Sequence, residues 1–316
     1  MKTSDEVRSF TVEADDDGIR VDRWFKRHLP QVGFGTVSKW ARTGQVRVDG
    51  KRVKPDDRLE QGQQIRVPPG GDAPHKKEKT KRELKPAEIE QAEGMVITKT
   101  KGALVLNKPP GLVVHPAAGN ESGTLVNALL FHDSVFKSVE RAGMVHRLDK
   151  DTSGVMVVAK TAAALAELQR QFKARETGKE YLALVWRHPP ARGRIENLIG
   201  RHPVHRKKMA VLKEGGRGAV SSFEVQETFA EAALVRVKIE TGRTHQIRVH
   251  MAHLGHPIVG DSVYGRARKQ KLPVDAQRQM LHAFRLEFTH PATGKRLSFE
   301  APLFDDMRHL LELLRD

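Results

Sequence analysis

The spacing of apolar and polar positions changes several times along the chain, and each change marks an element. Residues 20–29 carry Val21, Trp24, Phe25 and Leu29 at helical spacing, and Gly33 and Gly35 separate them from a second short helix around residues 37–43. Residues 45–51 alternate as a strand that runs into Asp49-Gly50, a pair that favours a two-residue hairpin turn because both positions tolerate positive φ. Ile65-Arg66-Val67 closes this module. Ahead of it, residues 1–16 read as a polar tail ending in a strand-like stretch from Val7 to Val12, and behind it Pro68 to Pro74 is a linker by composition.

A larger pattern starts near Gly102. Residues 103–106 and 155–159 are short apolar runs, the second rich in β-branched side chains, and both read as buried strands. Asn107-Lys108-Pro109-Pro110-Gly111 breaks the first run and residues 112–116 resume it. Thr124 and Thr161 are placed to cap helices, the second carrying Leu165, Leu168 and Phe172 on one face. Residues 179–186 and 233–240 alternate as strands, with Val235, Val237 and Ile239 facing inward. Thr244 opens a further helix in which Ile247, Met251 and Leu254 form the buried stripe, and Arg248 lies beside it with its stem packed. Residues 282–288 and 297–299 flank a hairpin turn at Gly294, and residues 306–314 form an amphipathic helix. Strands and helices in this arrangement predict an α+β protein.

Charge narrows the partner. The 316 residues hold 55 Lys and Arg against 39 Asp and Glu, a formal charge of +16, which favours a polyanion. Nucleic acid fits better than a membrane surface, because no basic amphipathic helix shows a clean apolar face and no apolar run approaches a membrane span. The basic residues cluster at 75–85, a solvated run or an RNA tether, and at 201–217, which reads as a loop meeting the RNA backbone through Arg206, Lys207 and Lys208. The absence of cysteine excludes disulfides and thiolate chemistry, and the acidic start lacks the apolar core of a signal peptide, so a cytoplasmic protein is expected. His250, His253 and His256 lack the spacing of a zinc site, since Pro257 ends the helix that carries them.

The stretch Val145-His146-Arg147-Leu148-Asp149-Lys150-Asp151-Thr152-Ser153-Gly154 leads directly into the buried run 155–159. Asp, Thr, Ser and Gly are ordinary turn residues, yet a charged loop delivered onto a packed sheet is also where chemistry sits. The string from His146 to Gly154 resembles the signature loop of the pseudouridine synthases that act on large-subunit ribosomal RNA. Asn107-Lys108-Pro109-Pro110-Gly111 resembles a first motif of that family, and residues 241–250 (Thr-Gly-Arg-Thr-His-Gln-Ile-Arg-Val-His) a third.

The resemblance implies a pseudouridine synthase fold, with a mixed, largely antiparallel central sheet flanked by helices and loops. It implies Asp149 as the catalytic carboxylate, Arg248 paired with it, Tyr181 stacked under the target base and Ile247 as an apolar wall. Arg147, with His146, would fill the gap left by a flipped uridine, and the Asn107–Gly111 element takes a structural role that places Lys108 near phosphate. Residues 17–67 resemble the S4-like RNA-binding domain, with Lys39, Arg42 and Arg47 directed at phosphate, although Gly33-Phe34-Gly35-Thr36 departs from the Ser-Arg pair that more often opens the second helix. The expected organisation is a tail (1–16), the S4-like domain (17–67), a basic linker (68–100) and a catalytic domain (101–316). The segments 118–124, 201–203 and 249–253 resemble the branch that modifies helix 69. The implied partner is 23S ribosomal RNA or a pre-50S particle, with no cofactor, metal or membrane, and a monomer is expected. The alternatives are a related synthase acting on other 23S or transfer RNA uridines, and a noncatalytic RNA-binding assembly factor.

Overall fold

The computed structural model describes residues 7–69, 94–115, 123–205, 208–265 and 272–316. The chain divides into two compact units, Met1–Glu83 and Leu84–Asp316.

The first unit runs β1 (Arg8–Thr11), α1 (Val21–His28), α2 (Phe34–Thr43), β2 (Arg47–Val48), β3 (Lys51–Arg52) and β4 (Gln64–Val67), with the strands in the antiparallel order β1-β4-β2-β3. The apolar face of α1 buries Val21, Trp24 and Phe25, and the Trp24 ring lies 5.4 Å from both Phe10 and Phe25. Asp49 and Gly50 both take positive φ, 48° and 76°, as the two-residue turn between β2 and β3 requires. The strand-like stretch expected at the end of a tail is an edge strand of this unit. Residues 8–11 pair with β4, and Phe10 and Val12 cover the same core as Trp24, so this unit begins before residue 17.

The second unit contains β5 (Val96–Lys99), β6 (Ala103–Lys108), α3 (Leu125–His132), β7 (Ser153–Ala159), α4 (Ala162–Ala174), β8 (Gly178–Trp186), β9 (Arg192–Arg201), β10 (Met209–Leu212), β11 (Arg217–Thr228), β12 (Ala232–Ile239), α5 (Gln246–His253), β13 (Leu281–Thr289), β14 (Arg296–Glu300) and α6 (Asp305–Arg315). Thr124 and Thr161 cap α3 and α4 through side-chain bonds to the Asn127 and Ala164 amides. One ten-stranded sheet follows the order β10-β9-β11-β12-β8-β13-β7-β6-β5, with β14 added on β13. Its ladders are antiparallel except between β7 and β13. This is the mixed, largely antiparallel sheet that the resemblance implies.

Alternation along β8 explains the packing. Ala183 and Val185 face Ile247 and Met251 of α5, whereas Leu184 and Trp186 face Met307, Leu310 and Leu311 of α6. A sheet covered on both faces buries two sets of side chains per strand, and β7 is accordingly buried along its whole length. At its first turn Gly154 has φ +118°, and a Cβ there would lie 2.2 Å from the Ala283 carbonyl oxygen. Only glycine lets the signature loop turn into the sheet so close to β13.

Four expectations change here. β5 lies inside the segment read as linker and pairs with β6, because Val96 and its neighbours pack on the apolar core. Residues 112–115 form no strand, although Val114 is buried. The segment 201–217 is not simply a loop: Met209-Ala210-Val211-Leu212 is apolar enough to pair with β9 as a hairpin. Leu254 lies beyond the end of α5 and is 39% exposed, so the buried stripe ends at Met251.

Candidate active site

The signature loop is anchored at both ends and along one edge. His146 Nε2 accepts the Val157 amide at 3.1 Å and its ring stacks on Phe172 at 4.7 Å between centroids. Leu148 is buried in the core, and the Thr152 amide returns to the Asp149 carbonyl at 3.2 Å. Lys108 is fully buried, and its Nζ donates to the carbonyls of Pro109, Leu112 and Lys150 at 2.8–2.9 Å. Arg278 donates to the Asp151 carbonyl at 3.1 Å while forming two bonds to Asp306 in α6. What remains exposed is Arg147, Lys150 and the edge of Asp149.

The carboxylate meets its cation across 99 positions of sequence. Arg248 Nη1 donates to Asp149 Oδ2 at 3.0 Å, while its Nε and Nη2 grip Asp261 at 2.7 and 3.0 Å. The guanidinium also lies 5.1 Å from the centre of the Tyr264 ring. Asp261 is fully buried, and its Oδ1 accepts the Val263 and Tyr264 amides as well. Burial opposes the charge on Arg248, but Asp261 and then Asp149 outweigh it and hold the guanidinium above its ordinary pKa. Burial likewise pushes Asp261 up, and the Arg248 bond and charge, with the two amides, bring it below the usual carboxylate value.

Beside this cluster, His245 starts α5 in a left-handed conformation, φ +57°, so it and not Thr244 is the residue ahead of the helix. Its Nε2 lies 3.8 Å from Asp149 Oδ2 and its Nδ1 bonds to the Tyr264 hydroxyl at 2.7 Å. Gln246 fixes the turn from below, accepting from Thr241 Oγ1 and the Arg243 amide and donating to Val220 and Ser221 on β11. A solvent-open cleft is lined by Arg147, Asp149, Tyr181, His245, Ile247 and Arg248, among others. Burial, and then the Asp149 charge, push the Tyr181 phenol up, so it stays protonated at neutral pH.

The structure thus brings together Asp149, Arg248, Tyr181, Ile247 and Arg147. It takes three other residues elsewhere. His146 faces the interior, where burial holds its pKa down to about 3; it is a neutral acceptor that pins the loop and does not reach the cleft lining. Lys108 is not available to phosphate. Burial draws its pKa down to about 7, against the charges of Asp151 and Asp149, and three carbonyl acceptors match the three hydrogens of an ammonium. Arg47 closes its own hairpin by donating to the Gly44 and Gly50 carbonyls. Lys39 and Arg42 are exposed on α2 and Lys208 is half-buried, whereas Arg206 and Lys207 lie outside the described residues. His250 has both ring nitrogens engaged, with Ser221 and Asn197 at 2.9 Å each.

Three site residues escaped the pattern of the sequence: Asp261, Tyr264 and His245. His245 lies inside the 241–250 motif, which was its signal; for the other two the signal was the turn pair Gly260-Asp261 and a tyrosine that is the second of only two.

Comparison with known proteins gives this geometry a family. The model of the RNA pseudouridylate synthase family matches residues 102–253. A protein of Neisseria meningitidis described as ribosomal large subunit pseudouridine synthase D is 42% identical over 96% of this chain and 81% of its own length. A protein of the same description from Pseudomonas aeruginosa is 43% identical over 94% of this chain and 92% of its own. The solved structure of human RNA pseudouridylate synthase domain containing 4 superposes with a TM-score of 0.58 at 26% identity, covering 72% of this chain and 97% of that one. The chain belongs to the family of ribosomal large-subunit pseudouridine synthases and is an RNA pseudouridine synthase, an isomerase.

Proposed function

We propose that this chain converts uridine to pseudouridine in the helix 69 stem-loop of 23S ribosomal RNA, as a cytoplasmic monomer working on the RNA or on a pre-50S particle. The relatives described as large-subunit enzymes support the RNA class, and the helix 69 segments of the sequence support the branch. The reaction breaks the N1–C1′ bond, turns the base and joins C5 to C1′. The proton lost at C5 is matched by one gained at N1, so neither oxidant nor external group enters.

The residues divide that work. Asp149 is the reacting carboxylate, adding to the base or acting at the ribose; both routes need a carboxylate oxygen at the bottom of an open cleft. Arg248 orients it and is itself held by Asp261. Tyr181, with a protonated phenol, is a stacking platform for the base rather than a proton acceptor. Ile247 walls the site, and exposed Arg147 at the cleft takes the place of the extruded uridine, whose flipping costs a few kcal/mol. The first unit is the S4-like module, presenting Lys39 and Arg42 to phosphate, and Lys208, with Arg206 and Lys207, adds contacts from the catalytic domain.

The observation that carries this reading is the 3.0 Å bond between Arg248 and Asp149 in a cleft also lined by Tyr181. Pseudouridine mapping of ribosomal and transfer RNA from cells lacking this chain tests it. The expected result is loss of pseudouridine confined to helix 69 and restored by the intact chain; loss elsewhere would reassign the target.

A further inference from the structure

The Tyr264 hydroxyl sits between two groups. It accepts the Met209 amide of β10 at 2.9 Å and meets His245 Nδ1 at 2.7 Å. Burial, with the charges of Arg248 and Arg147, holds His245 below its ordinary pKa against the opposing pull of Asp149 and Asp261, so the ring is neutral at pH 7 and carries one N–H. If that hydrogen were on Nδ1, the tyrosine oxygen would accept twice and its own hydrogen would have no partner in this pair. If the tyrosine donates, every group is used: Met209 N–H to Tyr264 Oη, and Tyr264 O–H to Nδ1. The imidazole hydrogen is then on Nε2.

That nitrogen faces the cleft. It lies 3.8 Å from Asp149 Oδ2, too far for a hydrogen bond, in a side chain that is 21% exposed and lines the same cavity as Tyr181 and Arg248. The protein therefore holds a donor of fixed tautomer beside the reacting carboxylate without spending it on that carboxylate. We infer that His245 is a substrate-binding residue of the uridine isomerisation: its Nε2–H, locked in place by Tyr264, donates to an oxygen of the nucleoside extruded beside Asp149. This rests on the proposed function of the cleft. Tyr264 is the positioning residue, and through the Met209 amide it also ties the β9–β10 hairpin to the tautomer of this ring.

Two substitutions at one position separate the ends of the ring. In His245→Asn the side-chain oxygen sits near Nδ1 and can still accept from Tyr264, asparagine tolerates the left-handed backbone, and the donor toward the cleft is gone. In His245→Gln the longer amide restores a donor near the Nε2 position. We expect kcat to fall about tenfold or more in the Asn variant, with RNA affinity within about twofold, and a smaller loss in the Gln variant. In Tyr264→Phe the lock is lost and kcat falls with little change in affinity. Equal turnover for Asn and wild type, or a greater loss for Gln than for Asn, overturns the assignment. Placing 2′-deoxyuridine at the target position identifies the acceptor: an Asn penalty that persists indicates a uracil carbonyl, and one that disappears indicates the ribose hydroxyl.

A second readout needs no activity. Nitrogen-15 spectra of the imidazole in the intact chain should show Nε2 as the protonated nitrogen and Nδ1 as the bare one, with the two signals moving toward each other in Tyr264→Phe. The opposite tautomer, or a wild-type spectrum already averaged, refutes the lock even if the chain isomerises uridine. A chain with the expected spectrum and no isomerase activity instead counts against the proposed function.

Discussion

Removing Arg248 should damage the fold and the reaction by different amounts, and the structure says how to tell them apart. The guanidinium makes three charge-assisted bonds, two to Asp261 and one to Asp149. Arg248→Met leaves the Asp261 carboxylate fully buried, with the Val263 and Tyr264 amides as its remaining partners among the described residues. Stranding one member of a buried ion pair costs about 3–5 kcal/mol, a large share of the ~5–15 kcal/mol that holds a typical domain. Asp149 is 19% exposed and can recover water, so most of the penalty belongs to Asp261. Arg248→Met/Asp261→Asn removes the stranded charge while keeping an oxygen for the Val263 and Tyr264 amides. Urea melts should therefore show the single variant about 3–5 kcal/mol less stable than wild type and the double variant recovering most of that loss. Single-turnover release of tritium from RNA labelled at uridine C5 should stay at background in both, because neither holds Asp149. Wild-type stability in Arg248→Met, or restored turnover in the double variant, would refute the reasoning.

Two further outcomes follow from groups turned inward. Burial lowers the pKa of His146 to about 3 and of His250 and His282 to about 4, against roughly 6.5 in an unfolded chain. The unfolded state therefore binds more protons between about pH 4 and 6.5, and stability should fall as pH drops through that window, by up to ~4 kcal/mol per pH unit for three protons. Urea melts from pH 5 to 7 measure the slope, and His146→Gln, which keeps an acceptor for the Val157 amide, should reduce it; a flat profile contradicts the burial of these rings. Lys108→Met should leave the Pro109, Leu112 and Lys150 carbonyls unsatisfied, at about 1–3 kcal/mol for each buried group, and slow turnover by loosening the loop ahead of β7. Unchanged RNA affinity in the same variant would separate this support role from phosphate binding.

Much of the architecture was legible because periodicity reports burial directly. The apolar run 155–159 read as an interior strand and Asp49-Gly50 as the tight turn of a hairpin, and both are so in the structure. The edge strands β1, β5 and β10 were harder. Each is four residues long, and each sits in a polar or basic neighbourhood whose charge masked the few apolar positions that pack. The partnership of Asp149 with Arg248 came from resemblance to a family, since no spacing rule joins positions 99 apart. Direction was the least legible property of all. In a loop with no period, nothing in the sequence said that His146 would stack on Phe172 while its neighbour Arg147 faced the cleft, or that Lys108 would spend its hydrogens on carbonyls. Asp261 and Tyr264 were missed for a related reason: their task is to hold Arg248 and His245, and support of that kind leaves no motif of its own.

If the Asp149 carboxylate performs the isomerisation, neutralising it must stop turnover and leave RNA binding intact. Asp149→Asn replaces one oxygen by nitrogen and leaves the other to accept from Arg248. Mixed in excess with C5-tritiated target RNA, this variant should bind with wild-type affinity and release no tritium in a single turnover. Tritium release at a rate near that of wild type would take the chemistry away from Asp149.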